Sequence, residues 1–171
     1  MIRLISIIGF CLLLYSCQKE GCMDINSSNY DPEAKVNDGI CSYRYLKTIS
    51  MTGLPDIYQL AMYDQDTYGG PYPDLQFRMV KKYDNPGKDY FDLITDIEYD
   101  VLSPFVWEVS ITNEYLLTNF EYHYELVDID QDGEEIILSG TFIPAEVYHN
   151  NKIVLHDSQD RFEIELTYII Y

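Results

Sequence analysis

Apolar and polar residues alternate through most of the chain beyond residue 44. Tyr45-Leu46-Lys47-Thr48-Ile49-Ser50-Met51, Leu75-Gln76-Phe77-Arg78-Met79 and Phe120-Glu121-Tyr122-His123-Tyr124-Glu125-Leu126 each put an apolar side chain at every second position. The run Phe162-Glu163-Ile164-Glu165-Leu166-Thr167-Tyr168 does so most regularly. A period of two with one polar face predicts antiparallel strands that cover a core on one side. Further strands are expected over residues 90–97, 107–111, 136–143 and 152–155, with Gly, Pro, Asp and Asn marking the intervals. No stretch carries a helical repeat. About eight short strands at this spacing predict an all-β antiparallel sandwich. The 17 Tyr residues fit half-buried pleated surfaces. The single Trp, Trp107, lies within a strand pattern, where sheet packing is a better use for it than ligand stacking.

The start of the chain is patterned differently. Arg3 is followed by Leu4 to Tyr15, which are almost wholly apolar. That run is too short for a hydrocarbon layer of roughly 30 Å, which takes about 20 helical residues. It fits the apolar core of a secretory signal. Leu14-Tyr15-Ser16-Cys17 then resembles the lipobox of bacterial lipoproteins. The resemblance implies that residues 1–16 are a signal peptide and that Cys17 becomes an acylated N-terminus, with residues 17–21 as a tether. Two or more acyl chains, at about 0.8 kcal/mol per buried methylene, would anchor the protein permanently. Gln18-Lys19-Glu20 resembles the short charged signal that sends some Gram-negative lipoproteins to the cell exterior. The expected location is therefore the outer membrane, lipid-anchored and surface-exposed.

Charge narrows the partners. The chain has 11 Lys+Arg against 29 Asp+Glu, a formal charge of −18, which becomes −19 once Arg3 leaves with the signal. Nucleic acid is excluded as a partner, because neutralising phosphates needs a basic surface. Solubility explains scattered acids, whereas divalent-cation binding needs clustered ones.

Residues 22–43 hold few core-forming residues and several turn signals, Asp31-Pro32 and Asn37-Asp38-Gly39 among them. They read as a loop-rich module closed by a Cys22–Cys41 disulfide in an oxidising compartment, worth on the order of 3 kcal/mol in the chain-entropy picture. The order Gly21-Cys22-x-Asp24, Asn29-Tyr30-Asp31-Pro32-x-Ala34 and Asp38-Gly39-x-Cys41 resembles a Cys-bounded Asp/Asn-rich repeat of bacterial surface proteins, loosely related to thrombospondin type 3 repeats. The resemblance implies a spacer with calcium among its ligands. Turn formation alone is the other use for these side chains.

Two acidic stretches flank strands: Asp64-Gln65-Asp66 through Pro73-Asp74, and Val127-Asp128-Ile129-Asp130-Gln131-Asp132-Gly133-Glu134-Glu135. The second opens like an EF-hand loop, but its twelfth position is Ser139 and strands replace the flanking helices, so an EF-hand is rejected. From Leu46 to Tyr171 the chain resembles the C2-like domain, an eight-stranded antiparallel sandwich with calcium-binding Asp residues on its apical loops. The resemblance implies a C2-like β-sandwich over residues 44–171, preceded by the small disulfide-closed module. It also implies calcium ligation by Asp66, Asp74, Asp128, Asp130, Asp132 and Glu134. A solvated acidic turn is the plainer reading of the same residues.

Enzymatic signatures are missing: there is no Gly-x-Ser-x-Gly, no phosphate loop and no His-Glu-x-x-His. His123, His149 and His156 are dispersed, and His123 between Glu121 and Glu125 reads as an exposed or carboxylate-paired histidine. The expected function is a non-enzymatic, lipid-anchored surface protein that binds an extracellular protein, glycan or lipid headgroup with help from calcium. The alternatives are a carbohydrate-binding accessory of a polysaccharide-uptake system, using exposed Tyr side chains, and a purely structural envelope lipoprotein.

Overall fold

The computed structural model describes residues 18–52, 72–82, 91–101, 104–109, 113–130, 133–145, 148–156 and 163–171. Cys17, Asp66 and Asp132 lie outside these residues. The fold is all-β, as the alternation predicts. A parallel pair, β1 (Glu20–Gly21) and β2 (Val36–Asn37), belongs to the N-terminal module. Ten further strands follow: β3 (Arg44–Thr52), β4 (Leu75–Lys81), β5 (Leu93–Ile94), β6 (Phe105–Glu108), β7 (Tyr115–Leu117), β8 (Tyr122–Asp130), β9 (Gly133–Phe142), β10 (Tyr148–His149), β11 (Lys152–His156) and β12 (Glu163–Ile170).

They form two antiparallel sheets. One has the order β10-β11-β12-β3-β6, with β7 sharing the β6 edge of β3; the other has the order β5-β4-β8-β9. Among the described residues, eight strands of the C-terminal unit run to three residues or more: β3, β4, β6, β7, β8, β9, β11 and β12. The alternating positions of both sheets meet in one core. Ile49 and Met51 of β3, Ile164 and Leu166 of β12 and Ile153 of β11 pack with Leu75, Phe77 and Met79 of β4 and Leu126 of β8, all fully buried. Two amphipathic sheets that bury their apolar faces against each other make a sandwich.

Tyrosine does more in the core than half-cover it. Tyr122, Tyr124 and Tyr168 are buried, and Tyr122 stacks on Phe142 with ring centroids 5.5 Å apart. The Tyr122 hydroxyl accepts the Thr118 amide proton at 2.9 Å and lies 3.3 Å from the Leu116 carbonyl, to which it donates. It thereby pins the turn between β7 and β8. Gly140, opposite Tyr124 across the β8–β9 pair, leaves room for that ring: a Cβ there would lie 2.7 Å from the Tyr124 hydroxyl oxygen.

Some boundaries differ from the pattern. The acidic stretch 127–135, expected as a loop, is mostly strand. β8 continues to Asp130 and β9 begins at Gly133, so only two residues separate them. Ladder pairing to β4 and β9 outweighs the turn preference of Asp here, and the alternation Val127-Asp128-Ile129-Asp130 permits it. The strand expected over residues 90–97 is paired as strand only at Leu93–Ile94. β7 and β10 are short strands without an alternation signal; β10 turns into β11 through Asn150 and Asn151 at φ 50° and 63°, a two-residue hairpin with both residues left-handed.

Two substitutions test this packing by urea unfolding. Tyr122→Phe is expected to cost about 1–3 kcal/mol, because the buried Thr118 amide loses its acceptor. Gly140→Ala is expected to cost about 1–3 kcal/mol by crowding Tyr124. Unchanged midpoints for both would contradict the roles assigned to this turn and this ring.

Candidate functional site

The N-terminal module is built from side chains that close turns. Asp24, Asp31, Asn37 and Asp38 each accept, through a side-chain oxygen, the backbone amide two residues on, at 2.9, 2.9, 3.1 and 2.8 Å respectively. Gly39 sits at φ 72°, which an L-residue adopts only with strain. Asn29 clamps the closing segment, donating to the Ile40 carbonyl and accepting from the Ser42 amide. Cys22 and Cys41 form the expected disulfide, with Cα atoms 5.2 Å apart. The Asp and Asn oxygens that the repeat pattern offers to calcium are thus used for local turns. Asp24 is held below its ordinary value of 3.8, first by the Asn26 amide and then by the Tyr43 hydroxyl.

The module is bolted to one end of the sandwich. Asn119, just past β7, donates to the Ser27 carbonyl at 2.6 Å and accepts from Arg44 Nη1 at 2.8 Å. Arg44 opens β3 and also reaches the Ser28 carbonyl at 3.4 Å. Arg44 and Ser27 are buried, at 6% and 0% exposure. Arg44 has no ion pair among the described residues; its Nη atoms are met by neutral oxygens, while its buried Nε has no hydrogen-bond partner among the described residues. Tyr43 adds a hydrogen bond to Asp24 Oδ2 at 2.7 Å and pairs its backbone with Tyr171 in both directions. Arg44, Asn119 and Tyr43 carry no motif, and only the fold brings them together.

The acidic residues expected as cation ligands gather at the other end. β4 begins beside the end of β8, with Leu75 opposite Asp128. Asp128 is fully buried, and its Oδ1 accepts the Asp74 amide proton at 2.8 Å. Asp74 Oδ1 in turn accepts the amide of Asp100, a residue at φ 55°. Asp130 is half-buried and, two residues on from Asp128 along the strand, shares its face. Glu134 pairs with Ile129 and so projects from the opposite face, where both its oxygens bind Arg78 at 2.6 and 2.7 Å. That guanidinium holds Glu134 below its ordinary value of 4.5. Gln76 braces Arg78 at 2.7 Å, and the strap crosses the row that contains fully buried Val127.

The structure therefore brings Asp74, Asp128 and Asp130 to one rim and turns Glu134 away from it. Calcium takes six to eight oxygens at about 2.3–2.6 Å. The described residues do not make such a site by themselves. Two of the carboxylates cap backbone amides, and among the described residues no three His, Cys, Asp or Glu side chains group as a metal site. The rest of the expected chemistry is equally structural. His123 Nε2 lies 3.0 Å from Glu125 Oε1, the carboxylate pairing its neighbours foretold. Tyr99 and Tyr171, at 70% and 68% exposure, stand at the acidic rim and at the module end respectively, so they do not form one sugar platform.

No family model matches the chain, and no curated protein matches it. Among solved structures it is similar to human GIVD cytosolic phospholipase A2. The complex with methyl gamma-linolenyl fluorophosphonate and terbium chloride is 14% identical at a TM-score of 0.49, over 76% of this chain and 17% of that one. The complex with the fluorophosphonate alone is 13% identical at a TM-score of 0.48, with the same coverage. The chain thus spans less than a fifth of that enzyme's length.

The Arg78–Glu134 strap should show in acid. A carboxyl whose folded value is lowered contributes stability in full above its unfolded value of about 4.5, and the contribution fades as pH falls through the lowered folded value. Glu134→Gln is expected to lose roughly 0.2–1 kcal/mol at neutral pH, the range for half-exposed pairs, and nothing at low pH. Urea unfolding of both proteins across that range checks it; a gap that widens towards acid would contradict the pairing.

Proposed function

We propose that this chain is a non-enzymatic lipoprotein of a Gram-negative outer membrane that holds a β-sandwich away from the bilayer as a binding module. The observation that carries this reading is the joint at Arg44 and Asn119. With Cys17 as the acylated terminus, three residues lead to β1, a reach of about 10 Å. The disulfide module then sits at the bilayer, and the buried joint fixes the sandwich to it. A hinge of solvated linker would leave the sandwich free to tumble onto the membrane; a clamped module sets its orientation.

β8 gives that orientation a direction. It starts three residues past Asn119 and ends at the acidic rim, about 26 Å away at roughly 3.3 Å per residue. The rim stands at the end of the sandwich far from the tether. A partner is therefore met on the outer side, and headgroups of the anchoring bilayer are the poorest fit of the three partner classes. Cys17→Ala is expected to abolish labelling by radioactive palmitate and to release the protein from membranes into the soluble fraction. Palmitate labelling that survives the substitution would overturn the anchor.

A second, finer reading keeps calcium at the rim, and the convergence of Asp74, Asp128 and Asp130 favours it. Asp66 and Asp132, on the connections that adjoin β4 and β8, would have to supply the missing oxygens. Titration calorimetry of the full-length protein in detergent micelles is expected to show calcium binding that Asp130→Asn weakens by about tenfold or more. Absence of binding heat, or equal heat from the variant, would leave the rim acids with their turn-capping duty alone.

A further inference from the structure

One flank of the sandwich holds a groove of about 310 Å³ between β5 and β6. These are the terminal strands of the two sheets, so each has a ladder edge with no neighbouring strand among the described residues. Four aliphatic residues line it, Leu93 and Ile94 on one side and Val106 and Val109 on the other, together with the polar Thr95 and Asn113. Ile94 and Val106 are each 55% exposed. Asp96, Glu98 and Glu108 also line the groove, and among the described residues no Lys or Arg does.

These three acids differ from several carboxylates of the sandwich. Glu134 is tied to Arg78, Glu121 to Lys82 and Glu165 to Lys152. Asp96, Glu98 and Glu108 make no ion pair among the described residues. Negative charge is therefore left unneutralised beside exposed aliphatic surface and two open strand edges. Each element asks for something specific. Open edges pair with an extended main chain, aliphatic walls with aliphatic side chains, and bare carboxylates with ammonium or guanidinium groups.

We propose that this groove binds an extended segment of a partner protein in which basic and aliphatic residues alternate. The segment lies along the sheet edge and turns its aliphatic side chains onto Leu93, Ile94, Val106 and Val109. Its cationic side chains reach Asp96, Glu98 and Glu108. The period of two in an extended chain delivers the two kinds of side chain to opposite sides, which suits a groove lined by both aliphatic and acidic residues. A glycan fits less well, since among the described side chains no Tyr or Trp lines the groove for ring stacking. Glu98 pairs with Leu75, which lies opposite Asp128, so the groove opens towards the rim far from the tether. The inference depends on neither acylation nor calcium.

The probe is a fluorescent octapeptide of alternating lysine and valine, titrated by anisotropy onto the full-length protein in detergent micelles. Saturable binding is expected, weakened about tenfold or more by Glu98→Gln with Glu108→Gln. Val106→Lys, which places a cation in the groove, is expected to weaken it as much. Glu20→Gln with Glu135→Gln removes the same charge from other exposed sites and should change binding by less than about twofold. Absence of saturable binding would overturn the proposal. Equal weakening by both double variants would overturn it too, since bulk charge alone would then account for the binding. So would full displacement of the peptide by spermidine at a matching affinity, which would make the groove a site for small cations.

Discussion

A single buried polar joint, Arg44 with Asn119 against the Ser27 and Ser28 carbonyls, determines how the two parts of this protein stand to each other. Burying a guanidinium is costly unless its protons find acceptors. Here the Asn119 side-chain oxygen and the Ser28 carbonyl accept from its Nη atoms, and Asn119 donates in turn to the Ser27 carbonyl, so three separated segments of the chain meet at the joint. Removing any one exposes a strongly polar group to an apolar setting, so the segments hold each other in place. The disulfide keeps the module closed, and the joint, beside the Tyr43–Tyr171 backbone pair, ties module to sandwich.

Beyond the joint, the sandwich is conventional in its energetics. Aliphatic residues from both sheets share one core, and buried Tyr residues fill the space between β8 and β9. The charge is less evenly handled. Asp74 and Asp128 at the rim cap backbone amides, Glu134 and Glu121 pair with Arg78 and Lys82, and the acids beside the β5–β6 groove make no ion pair among the described residues. A chain of formal charge −18 has surface acids to spare for solubility. Their position next to exposed Ile94 and Val106 is what distinguishes the groove from an ordinary solvated face.

Much of this was legible in the residues. Period two located β3, β4, β8 and β12, because each buries one face and the alternation records it directly, while β9 and β11 were expected as further strands between turn formers. Two Cys set in a stretch rich in turn formers indicated the closed module. The convergence of Asp74 with Asp128 followed from their places next to strong strands. What escaped had physical reasons. β7 and β10 are too short for periodicity, although Asn150-Asn151 was a hairpin signal for β10. Asp residues were read as loop because their turn preference is local, while the pairing that overrides it comes from β4 and β9. Glu134 looked like a ligand in one dimension; strand parity sends it to the other face, where Arg78 waits. The joint and the groove depend on partners 75 and 92 positions apart, or on two different sheets, and no local pattern reports such contacts.

The most direct test of the account is hydrogen–deuterium exchange of the module amides in the full-length protein, compared with Asn119→Ala. If the joint holds the module to the sandwich, amides of residues 22–42 exchange markedly faster in the variant, while those of β4, β8 and β12 keep their protection. Unchanged exchange through the module would mean that it stands without the joint, and the fixed orientation on which the functional reading rests would be lost.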